Sequence, residues 1–259
     1  MSVFQALADL ERQNQHGVLC TVVNTQGSTP RHAGSKMLVR SDGSIVGTIG
    51  GGEMESRVIT EALGVLNNGL PLLLEYHLAD PARGDPGVCG GTMKIFVEPI
   101  IPKPVLVIIG GGHVGKAVAH LAHWLGFWVV VNDDREQYVT PEAIPEADEY
   151  IHSTLMELPE KCKITPWTYL VLTTRGVGID VAGLPTLLAS PAAYIGVIGS
   201  QRRWETTRKQ LQAMGISEDQ LKLIHSPIGL EIQAETPEEI AVSIMAEIIT
   251  HRRSTPIAQ

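Results

Sequence analysis

The segment "VLVIIGGGHVGKAVAHLAHWLGFWVVVNDDRE", Val105–Glu136, restricts the fold more than any other part of the chain. Five apolar residues lead into three glycines, a helical pattern follows, and a second apolar run closes on two aspartates. Gly110, Gly112 and Gly115 have the spacing G-x-G-x-x-G between a strand and a helix. There the first glycine permits a tight turn, the second lets a pyrophosphate approach the backbone, and the third lets helix and strand pack closely. The unpaired N–H groups and dipole at the helix start favour an anion by about 0.3–1 kcal/mol, up to ~2 where the site is partly buried. Asp133 ends the second strand, where an acid commonly meets a ribose hydroxyl; Asp134 is the alternative. His113 follows the glycines and either touches a phosphate or faces solvent. The pattern predicts nucleotide binding, the alternative being the same fold with a degenerate site.

Downstream the pattern keeps alternating. It predicts strands at 105–109, 127–132, 149–152, 168–174 and 193–199, with helices at 113–125, near 140–146, at 180–189 and at 201–214. Alternation with short connections implies right-handed crossovers onto a parallel, Rossmann-like sheet. In "AETPEEIAVSIMAEIITHRR", Thr236 caps a last helix, Pro237 takes its first position and Glu239 completes a capping box. Its wide apolar arc suggests packing between domains or protomers, hence a homodimer.

The first hundred residues differ. An amphipathic helix with Phe4, Leu7 and Leu10 precedes a β-branched strand at Gly17–Thr25 and two short strands around Asp42-Gly43. A glycine triplet then opens a helix with Met54, Val58, Ile59, Ala62, Leu63 and Leu66 on one face, and "PLLLEYHL" and "TMKIFVEPI" read as further strands. The three prolines of "EPIIPKP" suit neither a helix nor a central strand. The joint is placed there: an N-terminal α+β domain at 1–100, and a Rossmann-like α/β domain at 101–259.

Composition narrows the function. A net charge of −8 and a pI near 5.6 argue against a nucleic-acid partner. Cys20, Cys89 and Cys162 are too few and too scattered for a disulfide framework or a CxxC zinc site, which fits a reducing, cytoplasmic setting. The first residues lack the pattern of a signal peptide, and no apolar run approaches the roughly 20 residues of a membrane span.

Several polar positions are candidates for chemistry. "TTRGVGID" and "GSQRR" follow strands at their carboxyl ends, so Arg175, Ser200, Arg202 and Arg203 are placed to clamp a phosphate or carboxylate, or to begin a solvated helix. Gly50, Gly51 and Gly52 offer a second anion-binding helix start, or only a tight bend. The polar loop Thr25–Met37 carries Ser28, Thr29 and Arg31. Cys89, in "GDPGVCGGT", is expected to be an exposed thiol, and Cys20 an inert core residue. No YxxxK pair or other hydride-transfer apparatus is visible.

Together "GSTPRHAGSKMLV", "DGSIVGTIGGG.ME", "CGGTMKIFVEP", "IIGGGHVGKAVA", "YIGVIGSQRR" and "HSPIGLEIQAETPEEIAVSIMAEII" resemble the xanthine dehydrogenase accessory factors of the XdhC/CoxI type, from about residue 10 to 252. The resemblance implies a cofactor-binding chaperone more than a catalyst. Such a factor binds the molybdenum cofactor (molybdopterin or a dinucleotide form), holds it while a cysteine desulfurase supplies its terminal sulfur, and passes it to an apo molybdenum hydroxylase. Residue by residue it implies cofactor contacts at Ser28, Thr29, Arg31, Gly50, Gly51, Gly52, Glu55, Gly110, Gly112, His113, Gly115 and Asp133, with Cys89 as a molybdenum or sulfur contact. Glu53 and Val177 depart from the pattern, standing where relatives have cysteine and histidine. Two other readings stay open: an NAD(P)-dependent oxidoreductase, and a nucleotide-sensing module.

Overall fold

The computed structural model describes residues 1–78 and 90–254, which divide into two compact units, Met1–Pro102 and Lys103 onward. In the first unit, strands β1 (Gly17–Gln26), β2 (Lys36–Arg40), β3 (Ile45–Gly47), β4 (Leu72–His77) and β5 (Thr92–Ile100) form one sheet. Their order is β3-β2-β1-β5-β4, and every pairing is antiparallel. Alternation along the strands gives the sheet two covered faces. Helix α1 (Val3–Arg12) buries Ala6 and Leu10 against Leu38, whereas α2 (Gly52–Asn68) packs Met54, Val58, Ala62 and Val65 against Val18, Cys20, Val22, Ile95 and Val97. Phe4, read as part of the apolar face of α1, is 69% exposed.

The second unit is a six-stranded parallel sheet of β6 (Val105–Ile109), β7 (Trp128–Asp133), β8 (Glu149–His152), β9 (Thr168–Leu172), β10 (Tyr194–Val197) and β11 (Ile224–His225). The order is β11-β10-β9-β6-β7-β8. Strands buried on both faces are near-continuous apolar runs, and "VLVII" and "TYLVL" are of this kind. Leu106, Ile108, Val129, Val131, Tyr169 and Val171 point to one layer, with α3 (His113–Trp124) and α8 (Pro237–Ser254). Val107, Ile109, Val130, Leu170 and Leu172 point to the other, with α4 (Leu158–Lys161), α5 (Val177–Leu188), α6 (Gln201–Ala213) and α7 (Glu218–Leu221).

Two expectations change. Residues 140–146 form a succession of turns rather than a helix, held by the Ala143 and Ile144 amides donating to the Thr140 carbonyl. The apolar arc of α8 packs inside its own unit: Ile244, Met245 and Ile248 are buried in the core beside Val118, Ala119 and Ala122 of α3. The capping box forms, with the Glu239 amide donating to Thr236 Oγ1 (3.2 Å) and the Thr236 amide to Glu239 Oε2 (3.1 Å). No described helix is long and apolar enough to cross a membrane.

Candidate functional site

From β6 the chain builds β7 and β8 on one side, then crosses to β9, β10 and β11 on the other, so the order switches between β6 and β9. Ligands of open α/β sheets bind at the carboxyl ends of the strands at such a point. There the glycines define a crevice. Gly110 has φ +113°, and a side chain on it would stand 2.6 Å from the Thr173 carbonyl oxygen. A Cβ on Gly115 would stand 2.0 Å from the Gly110 carbonyl oxygen, so only glycine lets α3 approach this closely. Gly112 differs: it caps α3 with no side-chain partner, and a Cβ there would meet nothing within 4 Å. Gly110 and Gly115 are required by the protein's own packing; Gly112 borders open space.

That space has two lobes of about 390 Å³ each, and Gly112, Thr173 and Thr174 line both. One lobe runs past the end of β7 to Asp134, Arg135 and Arg175, with Leu155, Met156, Ile179 and Ala182 supplying apolar wall. The other is lined by His113, Val114, Gly115, Gly199 and Arg203. The crevice therefore pairs unpaired helix-start amides with a mostly apolar slot, a combination suited to the phosphate and base of a nucleotide.

Asp133 lies at the end of β7 as expected, but its carboxylate is fully engaged. Oδ2 accepts the Gly111 amide (2.9 Å) and Arg135 Nη2 (3.0 Å), and Oδ1 accepts the Arg135 amide (3.0 Å) and Nε (2.9 Å). Burial pushes this carboxyl up, yet the bonds from Arg135 and Gly111 outweigh it and hold it below the usual carboxylate range. Arg135 also lies 3.9 Å over the Tyr138 ring. Asp134 reaches across to Arg175, whose Nη2 is 2.6 Å from Oδ2; both side chains are nearly half exposed, so the pair positions more than it stabilises.

A second constellation lies beneath the crevice. Asp180, fully buried in the first turn of α5, accepts the Thr174 hydroxyl and Arg203 Nη2 (2.6 Å). Arg203 also donates to the Thr174 hydroxyl (2.7 Å) and carbonyl (3.1 Å), locking the starts of α5 and α6 to the end of β9. Asp180, Thr174 and Asn132 were not singled out from the sequence. Asn132, buried at the end of "VVVN", donates to the Ile151 and Ser153 carbonyls and holds β8 in place. A polar residue closing an apolar strand was the available signal.

The remaining expected residues are placed as follows. Ser200 caps α6 by accepting the Arg203 amide, and Arg202 is solvent-exposed; neither lines a lobe. In the first unit, the α2 start already holds an anion of its own. Glu55 Oε2 accepts Thr48 Oγ1 (2.6 Å) and the amides of Ile49 and Gly51 (3.2 Å each), with Gly50 and Gly52 flanking that turn. Glu53 turns to Arg57, with Nε 3.2 Å from Oε1. Ser28 and Arg31 are exposed, and the Thr29 hydroxyl donates to the Arg31 carbonyl (2.9 Å). Cys20 and Cys162 are buried, and burial pushes their thiols up to about 12 and about 11, which leaves essentially no thiolate at neutral pH. Cys89 lies outside the described residues. Among the described residues no group of three or more His, Cys, Asp or Glu side chains could hold a metal ion.

The chain is similar to known proteins. Residues 106–248 match the XdhC Rossmann domain, and residues 10–77 match the XdhC and CoxI family. The chain is 37% identical to YqeB of Escherichia coli K12 over 99% of its own length and 47% of that protein. It is 34% identical to a probable xanthine dehydrogenase subunit of Bacillus subtilis 168, over 64% of this chain and 48% of that one. It thus spans about half the length of these two relatives. The molybdenum cofactor insertion chaperone PaoD of E. coli K12 is 22% identical, over 91% of this chain and 83% of its own. The crystal structure of a xanthine dehydrogenase from Bacillus halodurans superposes with a TM-score of 0.55 at 26% identity, covering 100% of this chain and 98% of that one. With residues 106–248 matching the XdhC Rossmann domain and residues 10–77 matching the XdhC and CoxI family, the chain belongs to the XdhC and CoxI family.

Proposed function

We propose that the protein is a maturation factor for a molybdenum hydroxylase. In this reading it binds the molybdenum cofactor, supports its sulfuration by a cysteine desulfurase, and passes it in the cytoplasm to an apo-enzyme such as xanthine dehydrogenase. Membership of the XdhC and CoxI family supports this, as do the names of two relatives, a molybdenum cofactor insertion chaperone and a component of a probable xanthine dehydrogenase. The observation that carries it is the crevice around Gly112, whose open helix start and apolar lobe suit a phosphorylated ligand.

The described residues fit one end of the cofactor. Gly112 and the start of α3 would hold its phosphate or pyrophosphate, and the lobe beside Asp134 its nucleoside where one is present. When bound, the cofactor supplies its own dithiolene sulfurs to the molybdenum. The two described cysteines are buried with their thiols pushed up, so in this reading the described residues bind and orient the cofactor. Cys89 is the thiol this reading assigns to the metal or sulfur end.

The test is co-purified pterin, measured by fluorescence after acid oxidation of the full chain, together with activation of an apo hydroxylase. Pterin retained in the wild-type protein and reduced in Cys89→Ala supports the reading; absence of pterin and of activation sinks it. Calorimetry against NAD, ATP and molybdopterin separates the alternatives, because nicotinamide binding with turnover of a carbonyl substrate would mark an NAD(P)-dependent oxidoreductase instead. A homodimer belongs to the same proposal and is tested by light scattering.

A further inference from the structure

We infer that Leu230, Ile232 and Val242, exposed on the loop after β11 and the start of α8 within an acidic rim, dock the protein that receives the cofactor. That protein meets them with an apolar surface ringed by lysine or arginine. This rests on the reading that the chain passes a phosphorylated cofactor to an apo-enzyme, and adds the surface through which it does so.

The loop leaves the sheet where the crevice opens. β10 and β11 are parallel, so both end at the same carboxyl edge. The Ile228 amide donates to the Val197 carbonyl at the end of β10 (3.1 Å), and the two residues after Val197, Ile198 and Gly199, line the second lobe. Beyond Ile228 the loop is bound to α8. The Gly229 amide donates to Glu247 Oε2, the Leu230 amide to the Ser243 carbonyl (3.2 Å), and the Ser243 hydroxyl to the Leu230 carbonyl (2.5 Å). Gly229 has φ +104°, and a Cβ on it would stand 2.3 Å from Ser243 Oγ, so only glycine lets the loop lie this close to the helix. The bonds to Ser243 bring Leu230 beside Val242. On this fixed backbone Leu230, Ile232 and Val242 are nevertheless 44%, 48% and 51% exposed.

Single apolar side chains on a surface are ordinary, whereas a cluster of them rimmed by polar groups marks an interaction site. A rigid backbone also lowers the ordering cost of association. The rim decides the occupant. Between Ser226 and Thr250 the chain has five glutamates and no lysine, arginine or histidine, and the exposed Glu231, Glu235, Glu238 and Glu239 are interleaved with the apolar residues. A second copy related by a two-fold axis would set these acids against themselves. An anionic lipid surface would meet the same repulsion. The acceptor of a phosphorylated cofactor, by contrast, needs cations at its mouth to take up the phosphate. Those cations complement the acidic rim, which steers the encounter and fixes its register, while the apolar residues supply the contact that holds it.

The experiment measures binding of the full chain to an apo molybdenum hydroxylase by surface plasmon resonance at low and high salt, beside pterin retention and activation of the hydroxylase. Leu230→Ser combined with Ile232→Ser should weaken the complex about ten- to a hundredfold, chiefly through faster dissociation. Glu235→Lys combined with Glu238→Lys should slow association and flatten its fall with salt. Both double variants should keep pterin at the wild-type level, because neither touches the crevice, and should activate the hydroxylase less. An affinity unchanged by the apolar pair, an association rate unchanged by the charge reversal, or binding lost only together with pterin overturns the inference and leaves the maturation reading intact. A wild-type homodimer that either variant dissociates, seen by light scattering, gives the surface to a second copy and overturns it as well. If the wild-type chain neither binds nor activates the hydroxylase, the maturation reading falls and takes this inference with it.

Discussion

The three glycines of the fingerprint have different jobs, and two alanine substitutions separate them. A carbon and a carbonyl oxygen seldom approach closer than about 3.3 Å, whereas a Cβ on Gly115 would stand 2.0 Å from the Gly110 oxygen. Relief requires α3 and the turn to part by more than an ångström, and the obstructing atom is backbone, so no side-chain rotation removes the clash. Overpacking costs about 1–3 kcal/mol, and the stiff neighbour argues for the upper end. Alanine returns at most about 1 kcal/mol of helix propensity, the value for a helix interior, because Gly115 lies in the first turn of α3. Gly115→Ala should therefore lose roughly 2 kcal/mol, a fall of about 4–8 °C in Tm for a unit of about 150 residues. Gly112→Ala meets no atom within 4 Å and loses only about 0.5–1 kcal/mol of N-cap preference. Its methyl group instead stands where both lobes meet, and should weaken ADP or NAD⁺ about ten- to a hundredfold. Thermal unfolding and calorimetry on both variants test the contrast. Equal Tm losses, or a Gly115→Ala protein as stable as the wild type, would refute the packing argument; unchanged binding in Gly112→Ala would remove the phosphate from this turn.

Other outcomes follow from the same geometry. Arg203→Ala leaves the Asp180 carboxylate buried without its cation and should cost about 3–5 kcal/mol in urea unfolding, with Arg203→Lys recovering only part because lysine cannot bridge Thr174 and Asp180 together. Asp133 and Glu247 are both held low in the folded chain although burial pushes them up: Arg135 and Gly111 outweigh it at Asp133, and His225, Tyr194 and the Gly229 amide do so at Glu247. Their stabilisation is thus present above the ordinary values of 3.8 and 4.5 and is lost as pH falls through the lower folded values. Asp133→Asn and Glu247→Gln should flatten the acid limb of stability against pH below about 4.5, and parallel limbs in wild type and variants would refute this. Glu55→Ala leaves the Thr48 hydroxyl and the Ile49 and Gly51 amides without their acceptor, so hydrogen exchange at Gly51 should quicken and stability fall by about 1–3 kcal/mol.

Features carried by neighbouring residues were legible in the sequence. The apolar run, the glycine spacing and the second apolar run define β6, α3 and β7, because strand burial and helix approach act over a few residues. Asp42-Gly43 joins β2 to β3, with Gly43 at φ +80°. Thr236 and Glu239 cap α8 as their spacing of three demands. The errors were of another kind. The apolar residues at 140–146 have a helix-like spacing, but they close turns over the core, where Ile144 is fully buried. The α8 arc is satisfied by α3, a helix more than a hundred residues away in sequence.

Local residue patterns dictate where the chain turns, which runs become strands, and that a helix start with an open glycine lies at the end of β6. Tertiary structure decided which side chains remain available to a ligand. Asp133 and Asp134 are adjacent and chemically identical, yet one is saturated by Arg135 and Gly111 while the other is half-exposed and accepts a single side-chain hydrogen bond, from Arg175. Glu55 likewise occupies the amides that its glycine triplet displays. A side chain's spare hydrogen-bonding capacity depends on every donor the fold brings to it, and for these residues those donors arrive by backbone direction and strand order, which no local pattern of residue types encodes.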